Sequence, residues 1–158
     1  NNLYNGQTTK KLQLSFKNSI KDIFYVILKN DDIYKRDKSN YSLNDNNING
    51  GNPIISTSLE FNGNDRFINY SGEYTNYIIP YESYLSTPSD GINILTFSLD
   101  SKFTQPSGSC NFSMIDNTYL KLKINSDYLQ GSQGQILVFA RNYNILRIMS
   151  GLAGLAFV

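Results

Sequence analysis

The stretch QPSGSCNFSMIDN, residues 105 to 117, places a lone cysteine in a turn of small residues, a setting in which some enzymes present a nucleophile. A thiol attacks as the thiolate, and at its ordinary pKa of about 8.5 it needs a base or a cationic neighbour near neutral pH. The usual base is histidine, and the chain contains none. We therefore expect Cys110 to be a small buried residue of the core and not a catalyst.

The missing histidine excludes further classes of site. Ser-His-Asp triads need it, as do many zinc sites and the jelly-roll enzymes built on clustered histidines. One cysteine allows neither an internal disulfide nor a cysteine-rich metal cluster. The neighbouring carboxylates Asp31 and Asp32 fall in a polar stretch that is typical of a solvated turn. We predict no catalytic residue, no cofactor-binding residue and no metal site.

Length and charge narrow the class of protein. A chain of 158 residues fits one domain with a real core, so we expect a single domain over residues 1–158. The net charge is +1 and the basic residues are spread along the chain, which argues against a nucleic-acid partner. The longest uncharged apolar run, residues 150–158, is too short to cross a membrane as a helix.

Strand signals dominate the chain. KLQLSF at residues 11–16 alternates, which predicts that Leu12, Leu14 and Phe16 face a core. The block Ile23 to Leu28 is apolar on both faces, as in a covered central strand. Alternation recurs in ISTSLEF at 55–61, where it predicts a buried face of Ile55, Thr57, Leu59 and Phe61. Strands are also expected at 92–100 and 119–124.

The remaining segments are less regular. Pro80 breaks the tyrosine-rich span 74–85, which allows at most short helical turns on either side of it. CNFSMID is expected to be a short strand that buries Cys110, Phe112 and Met114. QILVFARNYNILRIMS, residues 135–150, can be one bent strand or two. The uncharged tail 150–158 is expected to be the last core strand, with burial against a neighbouring subunit or domain as the alternative.

These elements predict an all-β fold. Short strands with frequent turns favour an antiparallel β-sandwich, and about eight strands suit an eight-stranded jelly roll. The polar, asparagine-rich stretch 29–53 is predicted to be a long loop, either functional or a solvated insertion.

Two surface features could bind or carry glycans. Asn-x-Ser sequons occur at Asn40, Asn69 and Asn111, and each is an acceptor only if the chain meets a glycosylation machinery. Tyrosines cluster between Tyr70 and Tyr84, and such clusters either stack on sugars or fill a sandwich core. A jelly-roll carbohydrate-binding module is therefore one alternative for the function.

Several segments together resemble a known family. LEFNGNDRF, PYESY, GINILTFSLD, QPSGSCNFSMIDNTYL and ARNYNILRIMSGLAGLAF come in the order, and nearly the wording, of the C-terminal part of the major capsid proteins of nucleocytoplasmic large DNA viruses. That part is the second roll of a double jelly-roll protein. The residues that carry the motifs are Gln105, Pro106, Gly108, Cys110, Asn111, Asp116, Asn117, Asn142, Tyr143, Asn144, Arg147, Gly151 and Gly154.

The resemblance implies a structural protein without enzymatic activity. It implies three chains per pseudo-hexagonal capsomer and an icosahedral shell in the virion, assembled in the host cytoplasm. The implied partners are the N-terminal jelly roll of the same polypeptide, further copies of the chain, and minor capsid proteins. A single jelly-roll minor or penton capsid protein is the other alternative.

Overall fold

The computed structural model describes residues 2–4, 6–29, 39–129 and 132–156. Strands account for most of the regular structure, as the alternating segments predict. The strands are β1 Asn2–Leu3, β2 Thr9–Leu14, β3 Ser19–Lys29, β4 Ile54–Phe61, β5 Asn64–Ser71, β6 Asn93–Thr96, β7 Cys110–Asn111, β8 Thr118–Ile124, β9 Gly134–Tyr143, β10 Leu146–Met149 and β11 Leu152–Leu155.

Nine of these strands form two antiparallel sheets, and eight of them, all but the short β7, make up the two four-stranded layers of the sandwich. The first sheet has the order β1-β9-β3-β6, with the short β7 paired to one end of β3. The second sheet has the order β2-β8-β4-β5. Most consecutive strands therefore cross between the sheets, except for the β4–β5 hairpin and the pair β6 and β7, and β9 returns to lie beside β1. This is the order of an eight-stranded jelly roll, and the fold prediction is confirmed.

The core lies between the two sheets and follows the alternation of the strands. In the first sheet Ile23, Tyr25 and Ile27 of β3 point inward and are fully buried. In the second sheet Leu12 of β2 meets Leu120 of β8, and both are buried. The Tyr25 hydroxyl is satisfied by the Thr57 Oγ1 at 2.9 Å, and burial raises the pKa of Tyr25 to about 12. Leu14 and Phe16 are partly buried against the same core, as predicted.

A bulge changes the predicted face of β4. The pairing with β8 shifts register between Ile54 and Ser56, so that Ile55 is an extra residue. Ile54 is buried and Ile55 is 46% exposed, which makes the prediction for Ile55 wrong. Thr57 and Leu59 are buried as expected, because alternation resumes beyond the bulge.

Two other predicted strands are shorter than expected. β6 ends at Thr96, where hydroxyl contacts among Thr96, Ser98 and Ser101 take over from the ladder. After β7 the Asn111 side chain accepts a hydrogen bond from the Ser113 amide and starts a 3₁₀ turn, Phe112–Met114. The turn buries Phe112 but leaves Met114 78% exposed, so the prediction that Met114 is buried is wrong.

The tyrosine-rich span is helical. A π-helical turn, Tyr74–Ile78, runs directly into α1, Ile79–Tyr84. Pro80 stands in the first turn of α1, where its missing N–H costs nothing, so the two helical segments are continuous across the proline. Among the described residues, no helix is long and apolar enough to span a membrane.

Part of the polar loop is held in place. The Gly51 amide donates to Asp90 Oδ2 at 2.7 Å, and the Asn52 side chain donates to Asn93 Oδ1 at 2.7 Å. Residues 39–53 are therefore tied to the segment before β6. Asp31 and Asp32 lie outside the described residues.

Candidate interaction surface

The tail hairpin, residues 146–155, is formed by β10 and β11. Leu146 pairs with Leu155 and Ile148 with Ala153, and every residue of the two strands is exposed. Ser150 and Gly151 both have positive φ, which is the signature of a tight two-residue hairpin turn. The hairpin pairs with neither sheet of the sandwich.

This arrangement corrects the expectation that the tail is the last core strand. The apolar side chains are there, but Leu152 is 79% exposed and Ile148 is 68% exposed. A two-stranded hairpin alone is marginally stable in water and cannot cover its own apolar groups. The alternative, coverage by a neighbouring subunit or domain, remains the prediction. Phe157 and Val158 lie outside the described residues.

The outer face of the first sheet is also apolar. Phe24 of β3 pairs directly with Phe139 of β9, and Phe139 is 59% exposed. Pro80 and Tyr84 of α1 cover the other side of Phe24 and leave a small cleft of about 180 Å³ between helix and sheet. β10 follows β9 after a break of only two residues, so the tail hairpin continues directly from a strand of this sheet.

An ion pair between the buried Asp22 and the half-exposed Arg141 helps to hold α1 against this face. Asp22 is completely buried, and Arg141 reaches its Oδ2 with Nε at 3.0 Å and Nη2 at 2.6 Å. The Tyr84 hydroxyl donates to the same carboxylate at 2.9 Å, and the Ser101 hydroxyl donates to Oδ1 at 2.5 Å. Burial and the Asp22 charge raise the pKa of Tyr84 well above its usual value, so the phenol keeps the proton it donates. Sequence reasoning missed Asp22 and Arg141, although an acidic residue inside an apolar strand was a visible signal.

Four of the motif residues meet at one cleft. Pro106, Asn111, Tyr143 and Asn144 line a cleft of about 570 Å³ at the base of the tail hairpin. Asn111 is engaged in the 3₁₀ turn, while Asn144 accepts a hydrogen bond from the Ile145 amide through its own side chain. The motif therefore shapes the point where the hairpin leaves the sandwich.

The other motif residues are structural in different places. Gly108 has φ +142°, and a Cβ there would stand 2.7 Å from the Phe97 carbonyl oxygen, so only glycine fits. The Asn117 amide donates to Asn62 Oδ1 at 2.9 Å and fixes the loop between β7 and β8. The rest are exposed: Gln105 and Asp116 lie in loops, Asn142 on β9, and Arg147, Gly151 and Gly154 in the tail hairpin.

Cys110 is half-buried and pairs with Ile20 through β7. Burial raises the pKa of its thiol, which favours the protonated, unreactive form. The thiol packs against the edge of the core. Among the described residues, no group of three or more cysteine or carboxylate side chains could hold a metal ion.

Most of the tyrosines between Tyr70 and Tyr84 contact other side chains of the protein. Tyr70 stacks against Phe67 at 5.1 Å and against Tyr74 at 5.0 Å. Tyr77 donates to Asp90, and Tyr84 belongs to the Asp22 ion pair. Tyr81 is the member that is mostly exposed.

The three sequons differ in their surroundings. The Asn40 amide nitrogen donates to the Asn44 carbonyl at 2.7 Å, so this side chain is already engaged in the loop. Asn69 and Asn111 are exposed, and each uses its side-chain oxygen within its own turn or ladder. Glycan attachment at any of them stays a prediction.

Comparison with known proteins decides the family. The family described as "Large eukaryotic DNA virus major capsid protein" matches residues 3–154. The chain belongs to this family. The fold, the exposed hairpin and the quoted motifs are all consistent with that membership.

Individual relatives agree with the family match. The major capsid protein of Phaeocystis pouchetii virus is 45% identical over 109 residues, covering 68% of this chain and 21% of the relative. That of Chrysochromulina ericina virus is 43% identical over 109 residues, covering 68% of this chain and 19% of the relative. The chain therefore spans about a fifth of the length of these curated relatives.

A solved structure shows the same architecture. The crystal structure of PBCV-1 VP54, fitted into a reconstruction of the virophage Sputnik, superposes with a TM-score of 0.79 at 25% identity, covering 95% of this chain and 46% of that one. Such neighbours are double jelly-roll major capsid proteins, and one jelly roll of this kind corresponds to the present chain. The homologues are structural proteins of a capsid and not enzymes, which confirms the prediction of a structural protein.

Proposed function

We propose that this chain is the second, C-terminal jelly roll of a major capsid protein that assembles as trimers of pseudo-hexagonal outline and tiles an icosahedral shell. The observation that carries the proposal is the tail hairpin, an exposed apolar element on a capsid-family jelly roll. An element of this kind is stable only when another polypeptide surface covers it.

The partners follow from the two apolar surfaces. The tail hairpin and the Phe139 face of the first sheet would pack against the N-terminal roll of the same polypeptide and against further copies of the chain. The outer face of the second sheet is polar, with Lys11, Lys121 and Glu60, and needs no such cover. Minor capsid proteins would contact the assembled capsomers.

The proposed location is the capsid shell of the virion, after assembly in the host cytoplasm. Virus particles from the native source, purified on a density gradient, should contain peptides of this chain among their most abundant. The peptides should follow the shell when the particles are opened and the contents are washed away. Peptides that stay with the released contents, or that are rare in intact particles, would contradict the proposal.

The carbohydrate-binding alternative finds less support in the structure. It needs a concave aromatic surface, whereas Tyr70, Tyr74 and Tyr84 are used in packing and in the Asp22 ion pair.

A further inference from the structure

The outer face of the second sheet carries a cleft of about 390 Å³ that is lined by lysine, serine, threonine and asparagine residues together with Leu122, and the carbon atoms of these residues form most of its surface. It lies across β2, β8, β4 and β5, on the side of the sheet that faces away from the core. Its lining residues are Thr9, Lys10, Lys11, Ser56, Ser58, Asn69, Lys121, Leu122 and Lys123.

Two lysines at this cleft already form ion pairs with a side-chain carboxylate of the same sheet. Lys11 and Lys121 are register partners on β2 and β8, and their ammonium groups reach the Glu60 carboxylate at 3.3 and 2.5 Å. Lys121 also lies 3.5 Å from Asp65. The hydrogen bond from Lys121 lowers the pKa of Glu60, which keeps the carboxylate charged. Two lysines from neighbouring strands therefore hold one carboxylate on this face.

The neighbouring row of register partners consists of one lysine between two residues with hydroxyl groups. Lys123 is the register partner of Thr9 on β2 and of Ser56 on β4, so a hydroxyl-bearing residue flanks it on each side. Within the part of the chain that the structure describes, no carboxylate lies within ion-pair distance of Lys123 or of Lys10. The outer face at this cleft therefore carries the three lysines Lys11, Lys121 and Lys123 against the two nearby carboxylates Glu60 and Asp65.

We propose that this row is an oxyanion site, in which Lys123, Thr9 and Ser56 bind a phosphate or sulfate group, free or as a monoester on a small molecule. Neighbouring strands lie about 4.8 Å apart, so Thr9 and Ser56 stand on either side of Lys123 on the same face of the sheet. A tetrahedral anion can accept from all three donors at once, and charge-assisted hydrogen bonds are the stronger kind. Lys11 and Lys121 add positive potential on the same face, partly offset by Glu60 and Asp65.

The test is equilibrium dialysis of the native assembled protein with radiolabelled inorganic phosphate, at constant ionic strength set with chloride. We expect saturable binding of one phosphate per chain, weakened at least about tenfold by Lys123→Gln. Thr9→Val keeps the β-branched shape without the hydroxyl and should weaken binding less. Lys102→Gln, which removes an exposed lysine far from the cleft, should leave binding unchanged.

Absence of saturable binding, or equal loss in Lys123→Gln and Lys102→Gln, would overturn the site. Competition with unlabelled sulfate and with glycerol phosphate separates the two sources of the anion. Stronger competition by glycerol phosphate than by free phosphate assigns a monoester, and the reverse order assigns the free ion. Light scattering of the same samples reads assembly while dialysis reads phosphate binding, so failure of the anion site and failure of the proposed capsid role are distinguishable.

Discussion

At the residue scale, Asp22 is the least expected feature of the chain. It stands in the apolar strand β3, is completely buried, and receives hydrogen bonds from Arg141, Tyr84 and Ser101. A buried carboxylate is tolerated only when its charge and lone pairs are satisfied, and here they are. The ion pair therefore fixes α1 and the loop after β6 on the face that we propose to be an interface.

Arg141→Met should remove the cation and leave the Asp22 carboxylate buried without its partner. We expect a loss of about 2 kcal/mol in the free energy of unfolding, measured by urea denaturation, because the buried carboxylate loses its half-exposed cationic donor and keeps the hydrogen bonds from Tyr84 and Ser101. Arg147→Met is the matched control, since Arg147 is exposed in the tail hairpin and has no ion pair among the described residues. An unfolding midpoint equal to that of the wild type would contradict the role given to the ion pair.

Cys110 is expected to contribute only to packing. Cys110→Ala should leave assembly intact and cost about 1 kcal/mol of stability, because the side chain is small and half-buried. Thermal melting together with size-exclusion chromatography measures both quantities. A variant that melts normally but fails to assemble would show that the thiol has a role beyond packing.

At the element scale, alternation predicted the strands that have one simple buried face. β2 and β8 show it most clearly, because Lys11, Lys121 and Lys123 face out while Leu12, Leu120 and Leu122 face in. The bulge at Ile55 was invisible, since Ile54 and Ile55 are equally apolar and only the register with β8 distinguishes them. The turn at Phe112 depends on a local side-chain cap by Asn111, which competes with the strand that the pattern favours.

The prediction that residues 150–158 form the last core strand was wrong for a different reason. The composition of this segment shows that it needs cover, but composition does not tell whether the cover comes from the same core or from another surface. The cleft at the base of the tail hairpin was not predicted, although Pro106, Asn111, Tyr143 and Asn144, which line it, all belong to segments that carry the family resemblance. Their meeting in space could not be derived from the sequence, since it depends on β7 and β9 both pairing with β3.

Polar substitution on the tail hairpin tests its proposed role. Leu146 and Leu155 face each other across the hairpin, and the double variant Leu146→Ser, Leu155→Ser should abolish assembly. The melting temperature of the sandwich should hardly change, because the hairpin pairs with neither sheet.

The matched control is Leu99→Ser, which alters a loop leucine that is 89% exposed and should affect neither property. Assembly is read by light scattering coupled to chromatography. Wild-type assembly by the double variant would remove the hairpin from the interface.

At the scale of the whole molecule, the jelly roll has two unlike outer faces. The first sheet is apolar outside, through Phe24 and Phe139, and it continues into the tail hairpin. The second sheet is polar outside and carries the lysine cleft. This asymmetry is what a subunit needs if one side packs on other subunits while the other side meets water or a small ligand.

Assembly into capsomers is tested most directly by measuring the mass and the outline of the native assembly. Light scattering gives the number of chains, and negative-stain electron microscopy gives the shape. We predict trimers with a pseudo-hexagonal outline. A stable monomer under native conditions would contradict assembly into capsomers.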